Sequence, residues 1–437
     1  MSTTSDDQRV VVVGGGFAGV ACAQALDKHK IPTLLLDRSD YHQFQPMLYQ
    51  LATAQVGQSD IAYPLRAIFD KHSRVRVRTT MVESIDVANR AVTTGDGRTF
   101  AGEVLVIAAG ARANFFGVPG AAEHAFPLYS VDDANSLRSR VIGAIDAVDA
   151  DERHLEQGGL SFVVVGGGAT GVEIAGALAE FLRDVAPHFY PDAPLSHAQV
   201  SLVEHGPTLL GGFSDRAHAY AAEKLGALGV DLHLDSAVAE VRADGVTLGD
   251  GTSILARTVI WAAGEEPSPV LATTGLPLGR GGRLDVLPDL TVPGTSGVYA
   301  VGDIANITFE GQVLPQLGAV AMQAGAWAGS NIVADLAGKS RKPFHYHDKG
   351  IMAMIGRDAA VAEVGPKRHE VDGAVAFAAW LGVHALLLSS FRQKVGAFVD
   401  WGWDYFSARR PAYLADRPDS YVIDWGDAGQ ETGTQPG

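Results

Sequence analysis

Short apolar runs recur along the chain and alternate with stretches of helical character. The runs, in order, are RVVVVG, PTLLLD, VLVIAAG, FVVVGG, VSLVE, VIWAAG and GVYAVGD. Continuous apolar strands separated by helices are typical of a parallel sheet that is buried on both faces. The pattern therefore predicts an α/β fold with two doubly wound units, the second inserted into the first.

The positions of these runs predict the domain limits. We expect a first domain over residues 8–125 and 280–345, and a second over 126–279. The pattern changes over 346–437, where a predicted strand pair precedes an uncharged apolar run, VAFAAWLGVHALLLSSF. That run is at the short limit for crossing a bilayer, so we do not predict a transmembrane helix. The end of the chain is acidic and rich in glycine, and we predict that it is disordered.

Composition excludes several classes of protein. A formal charge of −16 argues against a nucleic-acid-binding protein, which needs a basic surface. The single cysteine, Cys22, excludes an internal disulfide and a dithiol redox centre, and with them the disulfide reductases. We expect Cys22 to be a small core residue. Residues 1–8 have no apolar stretch of the kind found in signal peptides, so we expect a cytoplasmic protein.

The first apolar run leads into GGGFAG, residues 14–19, called here the first loop. Gly14, Gly16 and Gly19 have the spacing at which glycine permits a tight turn and a close approach of the backbone to a pyrophosphate. The helix start that follows supplies free N–H groups. Asp37 ends the next predicted strand, where a carboxylate can accept hydrogen bonds from ribose hydroxyls. The alternative is an ordinary strand-to-helix turn beside a surface aspartate.

The same pattern recurs in GGGATG, residues 166–171, called here the second loop. Gly166, Gly168 and Gly171 repeat the spacing, and Glu204 takes the place of the acidic residue. The interval to Glu204 exceeds the typical ~20 residues, and the extra segment PHFYPDAPLSHA explains the difference. A carboxylate there favours NADH, because the 2′-phosphate of NADPH would meet a like charge. The histidine that follows Glu204 weakens this preference.

Two such loops in one chain indicate two dinucleotides, one bound permanently and one exchanging. The economical interpretation is FAD at the first loop and NADH at the second. The late run GVYAVGD ends in Gly302 and Asp303, where a carboxylate suits the ribityl or phosphate part of a flavin. The alternative for Asp303 is a helix cap.

A carboxylate, Glu173, follows the second loop just inside its helix. An acid in the first turn of a helix is stabilised by the helix dipole by roughly 0.3–1 kcal/mol, which is one explanation. The same charge would oppose a pyrophosphate at that helix start. We therefore predict a catalytic role for Glu173, through contact with the nicotinamide or the flavin edge.

Four segments resemble the type II NADH dehydrogenases. They are YHQFQPMLYQLA at 41–52, GGGATGVEIAGAL at 166–178, AVGDIAN at 300–306 and YHDKGIMAMIGR at 346–357. The resemblance extends from about residue 8 to 415, and the first and last segments are much more specific than the loops. It implies a glutathione-reductase-like pair of FAD- and NADH-binding domains followed by a C-terminal membrane-associating region.

The resemblance implies an NADH:quinone oxidoreductase that pumps no protons. Hydride would pass from NADH to FAD, and two electrons would pass on to a membrane quinone. Glu173 matches a glutamate near the flavin that is implicated in nicotinamide and quinone chemistry. Lys349 matches a lysine near the isoalloxazine and the quinone pocket, where a cation would stabilise anionic reduced flavin. The alternative for Lys349 is a surface lysine on a strand.

The loops and the resemblance together define the expected site residues, with Glu173 and Lys349 as the catalytic pair and no metal. For FAD they are Gly14, Gly16, Phe17, Ala18, Gly19, Asp37, Arg38, Val82, Ala109, Gly110, Gly302, Asp303, Gly318 and Ala319. For NADH they are Gly166, Gly168, Thr170, Gly171, Glu204 and Gly264. For the quinone they are Gln316, Gln323 and Lys349.

One position departs from the family pattern. The family carries an Ala-Gln pair and a second glutamine four residues later, on the helix that faces flavin and quinone. In LPQLGAVAMQAG, Gln323 matches the second glutamine but Ala319 stands at the first, and Gln316 lies three residues earlier. The departure leaves two alternatives open. One is a flavoprotein that passes its electrons to oxygen, an iron–sulfur protein or a small metabolite, and the other is a nucleotide-sensing flavoprotein of negligible turnover.

Aromatic and basic residues cluster near the C-terminal end. Between 383 and 414 there are four Lys/Arg against two Asp, close to Trp401, Trp403, Tyr405 and Phe406. Such a mixture suits a membrane interface, and the resemblance implies peripheral attachment at the inner, cytoplasmic face of the cell membrane. The alternative is a helix pair packed on its own core or on a second subunit, and a homodimer fits the family.

Overall fold

The computed structural model describes residues 9–69, 72–407, 410, 413–415, 421, 423 and 425. They form two compact units. The first unit takes the chain up to residue 44 together with 62–114 and 265–349, and the second takes 45–61, 115–264 and the chain from 350 onward. The segment 45–61 therefore belongs to the second unit, although it lies within the first predicted domain.

The first unit is built on a five-stranded parallel sheet. Its strands, in spatial order, are Val298–Ala300, Val104–Ile107, Val10–Val13, Thr33–Asp37 and Val75–Thr79. The strands at its centre are apolar without alternation because both of their faces are buried. The first strand of the chain has neighbours on both sides, so the strand order reverses beside it. Open α/β sheets bind ligands outside the carboxyl ends of the strands at such a point.

Two long helices of this unit, Phe17–Lys28 and Gly318–Leu336, pack closely against each other. Glycine permits the contact, because a Cβ at Gly325 would lie 2.0 Å from the carbonyl oxygen of Ala18. Cys22 is fully buried in the same core, and burial raises the pKa of its thiol to about 12. The interpretation of Cys22 as a core residue is confirmed.

The second unit repeats the plan of the first. Its parallel strands, in spatial order, are Ala125–Pro127, Thr258–Trp261, Ser161–Val165, Gln199–Val203 and Val230–His233. Its helices up to residue 227 are Leu48–Ala52, Gln58–Ile61, Ala121–His124, Val131–Ala150, Ala169–Glu180 and Asp215–Ala227. The two parallel sheets confirm the predicted α/β fold class.

Smaller sheets and one short helix, Leu65–Ile68, complete both units. Among the described residues these sheets are antiparallel except for the parallel pair Leu284–Asp285 with Ala305–Asn306. Three-stranded sheets are Val82–Asp86, Ala91–Thr94 and Thr99–Ala101 in the first unit, and Val238–Arg242, Gly245–Leu248 and Ser253–Leu255 in the second. Two-stranded pairs of the first unit are Tyr41–Gln43 with Ala62–Pro64, Ala111–Ala113 with Glu265–Pro267, Leu284–Asp285 with Ala305–Asn306, and Thr308–Phe309 with Gln312–Val313.

The C-terminal region of the second unit combines a sheet and two helices. The strands are Gly350–Gly356, Ala359–Val364 and His369–Asp372, and the helices are Gly373–Leu387 and Phe391–Ser407. The first two strands are the strand pair expected from the sequence. Within the described ranges, every helix is too short or too polar to cross a membrane.

The prediction of a disordered tail does not hold at three residues. Trp425 stacks on His154 with ring centroids 3.7 Å apart, and Ile423 is 6% exposed. The carbonyl oxygen of Tyr421 lies against Gly143, where a Cβ would approach it to 2.4 Å. Aromatic and aliphatic side chains therefore attach this part of the acidic tail to the second unit. Residues 426–437 lie outside the described residues, as do residues 1–8.

Candidate functional site

The first loop makes a tight turn between its strand and its helix. Gly14 has a φ of 105°, and a Cβ there would lie 2.1 Å from the carbonyl oxygen of Ala108. A Cβ at Gly19 would lie 1.8 Å from the carbonyl oxygen of Gly14. Gly16 differs, because it is exposed and no described atom lies within 4 Å of the position its Cβ would take. The fold requires Gly14 and Gly19, while Gly16 leaves room for a ligand to approach the backbone.

Asp37 fastens the first loop to the end of the neighbouring strand. Its carboxylate accepts hydrogen bonds from the N–H groups of Gly15 at 2.5 Å and Ser39 at 2.7 Å. Burial raises the pKa of this carboxyl, and the two N–H donors act in the opposite direction. Asp37 therefore lies where the sequence predicted it, beside the glycine turn at the carboxyl end of the sheet.

The second loop repeats this geometry. Gly166 has a φ of 106°, and a Cβ at Gly171 would lie 1.7 Å from its carbonyl oxygen. Gly168 is exposed. Among the described residues, no neighbouring atom lies within 4 Å of the position that a Cβ would take there. The exposed Thr170 lies in the first turn of the helix, and Gly264, at a φ of 150°, follows the neighbouring strand.

Glu204 fastens the second loop as Asp37 fastens the first. It accepts hydrogen bonds from the N–H groups of Gly167 at 2.5 Å and Gly206 at 2.8 Å, and it pairs with His205 Nδ1 at 2.7 Å. The longer interval before Glu204 contains a π-helical turn, Phe181–Val185, and two 3₁₀ turns. The extra segment noted in the sequence therefore lies between the second loop and Glu204, and Glu204 still bonds to the loop.

Both loops fit the pyrophosphate of a dinucleotide. Each helix has a glycine as its N-cap, Gly16 or Gly168, so no capping side chain covers the N–H groups of its first turn. These free donors and the positive end of the helix dipole favour an anion. A side chain at either N-cap position would fill the open space through which the pyrophosphate approaches these N–H groups. The first loop would hold FAD and the second NADH.

Asp303 lies in the turn that follows the strand Val298–Ala300. The next element is a short strand, Ala305–Asn306, so Asp303 does not cap a helix. Burial raises the pKa of its carboxyl, and the Arg283 guanidinium acts in the opposite direction. The capping alternative is therefore wrong, and contact of Asp303 with a flavin stays a prediction.

The other residues predicted for FAD lie in several parts of the first unit. Ala109 and Gly110 follow the strand that packs on Gly14, while Gly318 and Ala319 begin their helix beside the Phe17 ring. Ala18 packs under Gly302. Arg38 is exposed, and Val82 is in the hydrophobic core. These assignments stay predictions.

The residues predicted for the quinone make contacts within the first unit. The Gln323 amide donates to the carbonyl oxygen of His347 at 3.1 Å and accepts from its N–H at 2.9 Å. The Gln316 amide donates to the carbonyl oxygen of Asp303 at 3.2 Å. Lys349 is exposed, two residues after His347. Both glutamines therefore fix neighbouring backbone segments, and their contact with a quinone stays a prediction.

Glu173 lies deeper in its helix than the sequence suggested. The helix begins at Ala169, so Glu173 is in the second turn, and the dipole explanation loses its basis. The side chain is buried, accepts a hydrogen bond from the Met354 N–H at 3.1 Å and receives another from the Trp380 indole. Burial raises the pKa of the carboxyl to about 8. At neutral pH Glu173 therefore holds a proton.

Glu173 lies on the wall of a cavity of about 250 Å³ in the second unit. The cavity extends between its helix, the segment 45–61, the strand Gly350–Gly356 and the two C-terminal helices. Most of the lining is apolar, and the polar exceptions include Tyr49, Gln50 and Glu180. The cavity opens at exposed side chains that include Arg357 and Phe406. An apolar cavity with a few polar groups is the usual form of a small-molecule site.

The sequence predicted none of the polar residues of this cavity except Glu173, and Tyr49 and Glu180 are among those it missed. Glu180 is buried and accepts a hydrogen bond from the Arg357 N–H at 2.5 Å. The Tyr49 hydroxyl accepts from the Gln50 amide at 3.0 Å, and Gln50 in turn accepts from the Trp401 indole at 2.9 Å. The interval of seven residues between Glu173 and Glu180 was the available signal, since it places both carboxyls on one face of the helix.

Residues 8–325 match the pyridine nucleotide-disulphide oxidoreductase family. The disulphide in that name has no counterpart in this chain, whose single cysteine is buried.

The chain is also similar to individual proteins of known function. It is 35% identical to the type II NADH:quinone oxidoreductase Ndh of Mycobacterium tuberculosis, over 92% of this chain and 89% of that protein. It is 34% identical to the type II NADH:quinone oxidoreductase NdhA of the same bacterium, over 94% and 89%. The structure of NDH2 from Plasmodium falciparum in complex with NADH shares the fold, with a TM-score of 0.86 at 17% identity over 93% of this chain and 100% of that one. The matches confirm the predicted enzyme class and the cofactors FAD and NADH. The chain therefore belongs to the type II NADH:quinone oxidoreductases, within the pyridine nucleotide-disulphide oxidoreductase family.

Proposed function

We propose that this chain passes a hydride from NADH to FAD and two electrons on to a membrane quinone, without pumping protons. The observation that carries the quinone step is a buried carboxyl, Glu173, on the wall of an apolar cavity in the unit that also holds the second loop. The relatives from Mycobacterium tuberculosis support this assignment by their names.

The cavity suits the head group of a quinone. Its volume of about 250 Å³ lies below the ~300–1,000 Å³ of common ligand pockets, so it favours one ring system over a dinucleotide. Phe377, Leu381 and Phe398 line it with apolar surface. A quinone offers an apolar ring and two carbonyl acceptors, and protonated Glu173 is a donor for one of them.

Each part of the chain has a separate task in this reaction. FAD, when bound at the first loop, accepts the hydride and supplies two electrons to the quinone. The N–H groups at the two helix starts bind the pyrophosphates, and Glu204 orients the nucleotide at the second loop. Glu173 holds a proton at a carboxyl oxygen in the cavity, where general acid catalysis needs a group with a pKa near the working pH.

A substitution that fills the cavity tests the quinone step. Leu381 lines the cavity, whereas Val383 is 42% exposed on the same helix and is not among the lining residues. Leu381→Trp should raise the KM for a menaquinone analogue and leave NADH-dependent ferricyanide reduction unchanged, while Val383→Trp should change neither. Equal quinone kinetics in the two variants, with both folded, would show that the quinone binds elsewhere.

The two C-terminal helices present apolar side chains to solvent. Phe391 is 81% exposed and Phe406 is 87% exposed, and Leu386 on the preceding helix is 73% exposed. The opposite faces pack inward through Trp380 and Trp401. An apolar outer face with aromatic rings and nearby basic residues suits the headgroup level of a bilayer. We infer that this surface attaches the enzyme peripherally to the inner face of the cell membrane.

Removing the exposed rings without removing the helices tests this attachment. The triple variant Phe391→Ser, Phe398→Ser, Phe406→Ser should lose sedimentation with anionic lipid vesicles. A matched triple at exposed apolar positions elsewhere, Met81→Ser, Leu255→Ser, Leu278→Ser, should retain it. If the first triple still sediments with lipid but becomes monomeric on light scattering, the surface joins two copies of the chain instead.

A further inference from the structure

We propose that Tyr49 and Glu180 form a proton relay that carries a proton from solvent to Glu173. The inference rests on the proposed function, because it concerns the proton that reduction of the quinone consumes. It gives a role to Tyr49 and Glu180, which the binding of the nucleotides and of the quinone ring does not require.

The reaction requires one proton from solvent. NADH supplies a hydride, which is two electrons and one proton, and reduction of a quinone to a quinol consumes two electrons and two protons. The difference is one proton per turnover. Glu173 is buried, so after it gives its proton to a quinone oxygen it needs a path by which the proton is replaced.

Glu173 and Glu180 lie on one face of the same helix, both within the cavity wall. Seven residues are about two turns, or about 10 Å along the helix axis. A direct proton transfer needs a heavy-atom distance of about 2.6–3.2 Å, so the two carboxyls need an intermediate. A cavity of about 250 Å³ has room for several water molecules beside its few polar groups, since each water takes about 30 Å³.

Tyr49 supplies the intermediate hydroxyl. Its side chain lines the same cavity as Glu173 and Glu180, and both carboxylates act electrostatically on its phenol and raise its pKa. The Gln50 amide donates a hydrogen bond to the hydroxyl, and the Trp401 indole in turn fixes Gln50 by donating to its amide oxygen. A hydroxyl both donates and accepts, so it can pass a proton in one direction and be restored in the other.

Glu180 lies at the end of the relay that faces solvent. Burial raises the pKa of its carboxyl, and Arg357 and Arg410 act in the opposite direction while Asp184 adds to the increase. The exposed Arg357 lines the cavity near its opening, where water has access. Glu180 can therefore take up a proton from solvent and still release it inward.

The test compares acceptors that do and do not require protons. Glu180→Gln keeps an acceptor oxygen for the Arg357 N–H, and Tyr49→Phe keeps the ring. Both should slow menaquinone-analogue reduction about tenfold or more, enlarge its solvent deuterium isotope effect and leave ferricyanide reduction unchanged. Formate should restore part of the rate in Glu180→Gln, because a small acid can enter the cavity.

A matched control separates proton transfer from folding. Glu363 is also buried and accepts a backbone hydrogen bond, from Ser214 at 2.6 Å, but it does not line the cavity. Glu363→Gln should change neither the quinone rate nor the isotope effect. Wild-type quinone rates in Glu180→Gln would overturn the relay, as would a loss that formate does not restore and that ferricyanide reduction shares. If the unsubstituted enzyme reduced no quinone, the proposed function itself would fail.

Discussion

The protonated state of Glu173 leads to a quantitative prediction. Burial moves the pKa of the carboxyl from its ordinary 4.5 to about 8. The difference of about 3.5 pH units corresponds to about 5 kcal/mol, at 1.36 kcal/mol per unit, for placing a charge at this position. At pH 7 about nine in ten molecules should hold the proton, whereas an ordinary glutamate would be almost fully ionised.

Infrared difference spectroscopy can observe that proton directly. The spectrum of the wild type should contain a carboxylic-acid carbonyl band that is missing from Glu173→Gln. Its intensity should fall by half near pH 8 as the carboxyl ionises. Glu363→Gln, which removes a buried carboxyl outside the cavity, should keep the band. A band from Glu173 that disappears by pH 6 would refute the reasoning, because burial would then cost the charged form little.

The same group gives a pH dependence of stability with a definite sign. The folded state binds the Glu173 proton between pH 4.5 and about 8, whereas the unfolded chain has lost it. The bound proton therefore stabilises the folded state to its full extent below pH 4.5, and this stabilisation is lost as the pH rises towards 8. Relative to the wild type, Glu173→Gln should gain stability over that range, by at most about 5 kcal/mol. Thermal midpoints of the two proteins at pH 6 and pH 8 measure the change.

Two further predictions concern the nucleotide loops. Gly171→Ala should lower the thermal midpoint, because its Cβ would lie 1.7 Å from the Gly166 carbonyl oxygen. Gly168→Ala should fold normally and raise the KM for NADH. Equal thermal midpoints for the two variants would contradict this assignment. Glu204→Gln keeps an acceptor for the Gly167 N–H but removes a charge near the ribose 2′ position of the nucleotide. The loss of about 1–3 kcal/mol of charge repulsion should lower the ratio of kcat/KM for NADH to kcat/KM for NADPH by about fivefold to a hundredfold. An unchanged ratio would place the discrimination between the two nucleotides at another residue.

The two loops could be predicted from sequence because their geometry is local. Gly14 and Gly166 need positive φ values, and Gly19 and Gly171 meet backbone oxygens within their own loops. Such constraints act over a few residues and leave a fixed spacing in the sequence. The acidic partners could be found for a similar reason, since Asp37 ends the strand next to its loop and Glu204 directly follows the corresponding strand.

The cavity could not be predicted because it depends on contacts between distant segments. Trp401 bonds to Gln50 although they are 351 residues apart, and Glu180 bonds to Arg357 across 177 residues. No periodicity within one element records such pairs. The tail shows the same limit, because its composition indicated disorder while Trp425 finds a stacking partner in His154.

One chain is expected to couple NADH oxidation to quinone reduction despite Ala319. The most direct measurement is anaerobic. The purified protein is reduced with NADH while the flavin absorbance is followed, and a menaquinone analogue is then added and the return of the absorbance is timed. We expect rapid bleaching of the flavin absorbance and its reoxidation by the quinone within one catalytic turnover time. Rapid bleaching without reoxidation by the quinone would contradict it and direct the search to another electron acceptor.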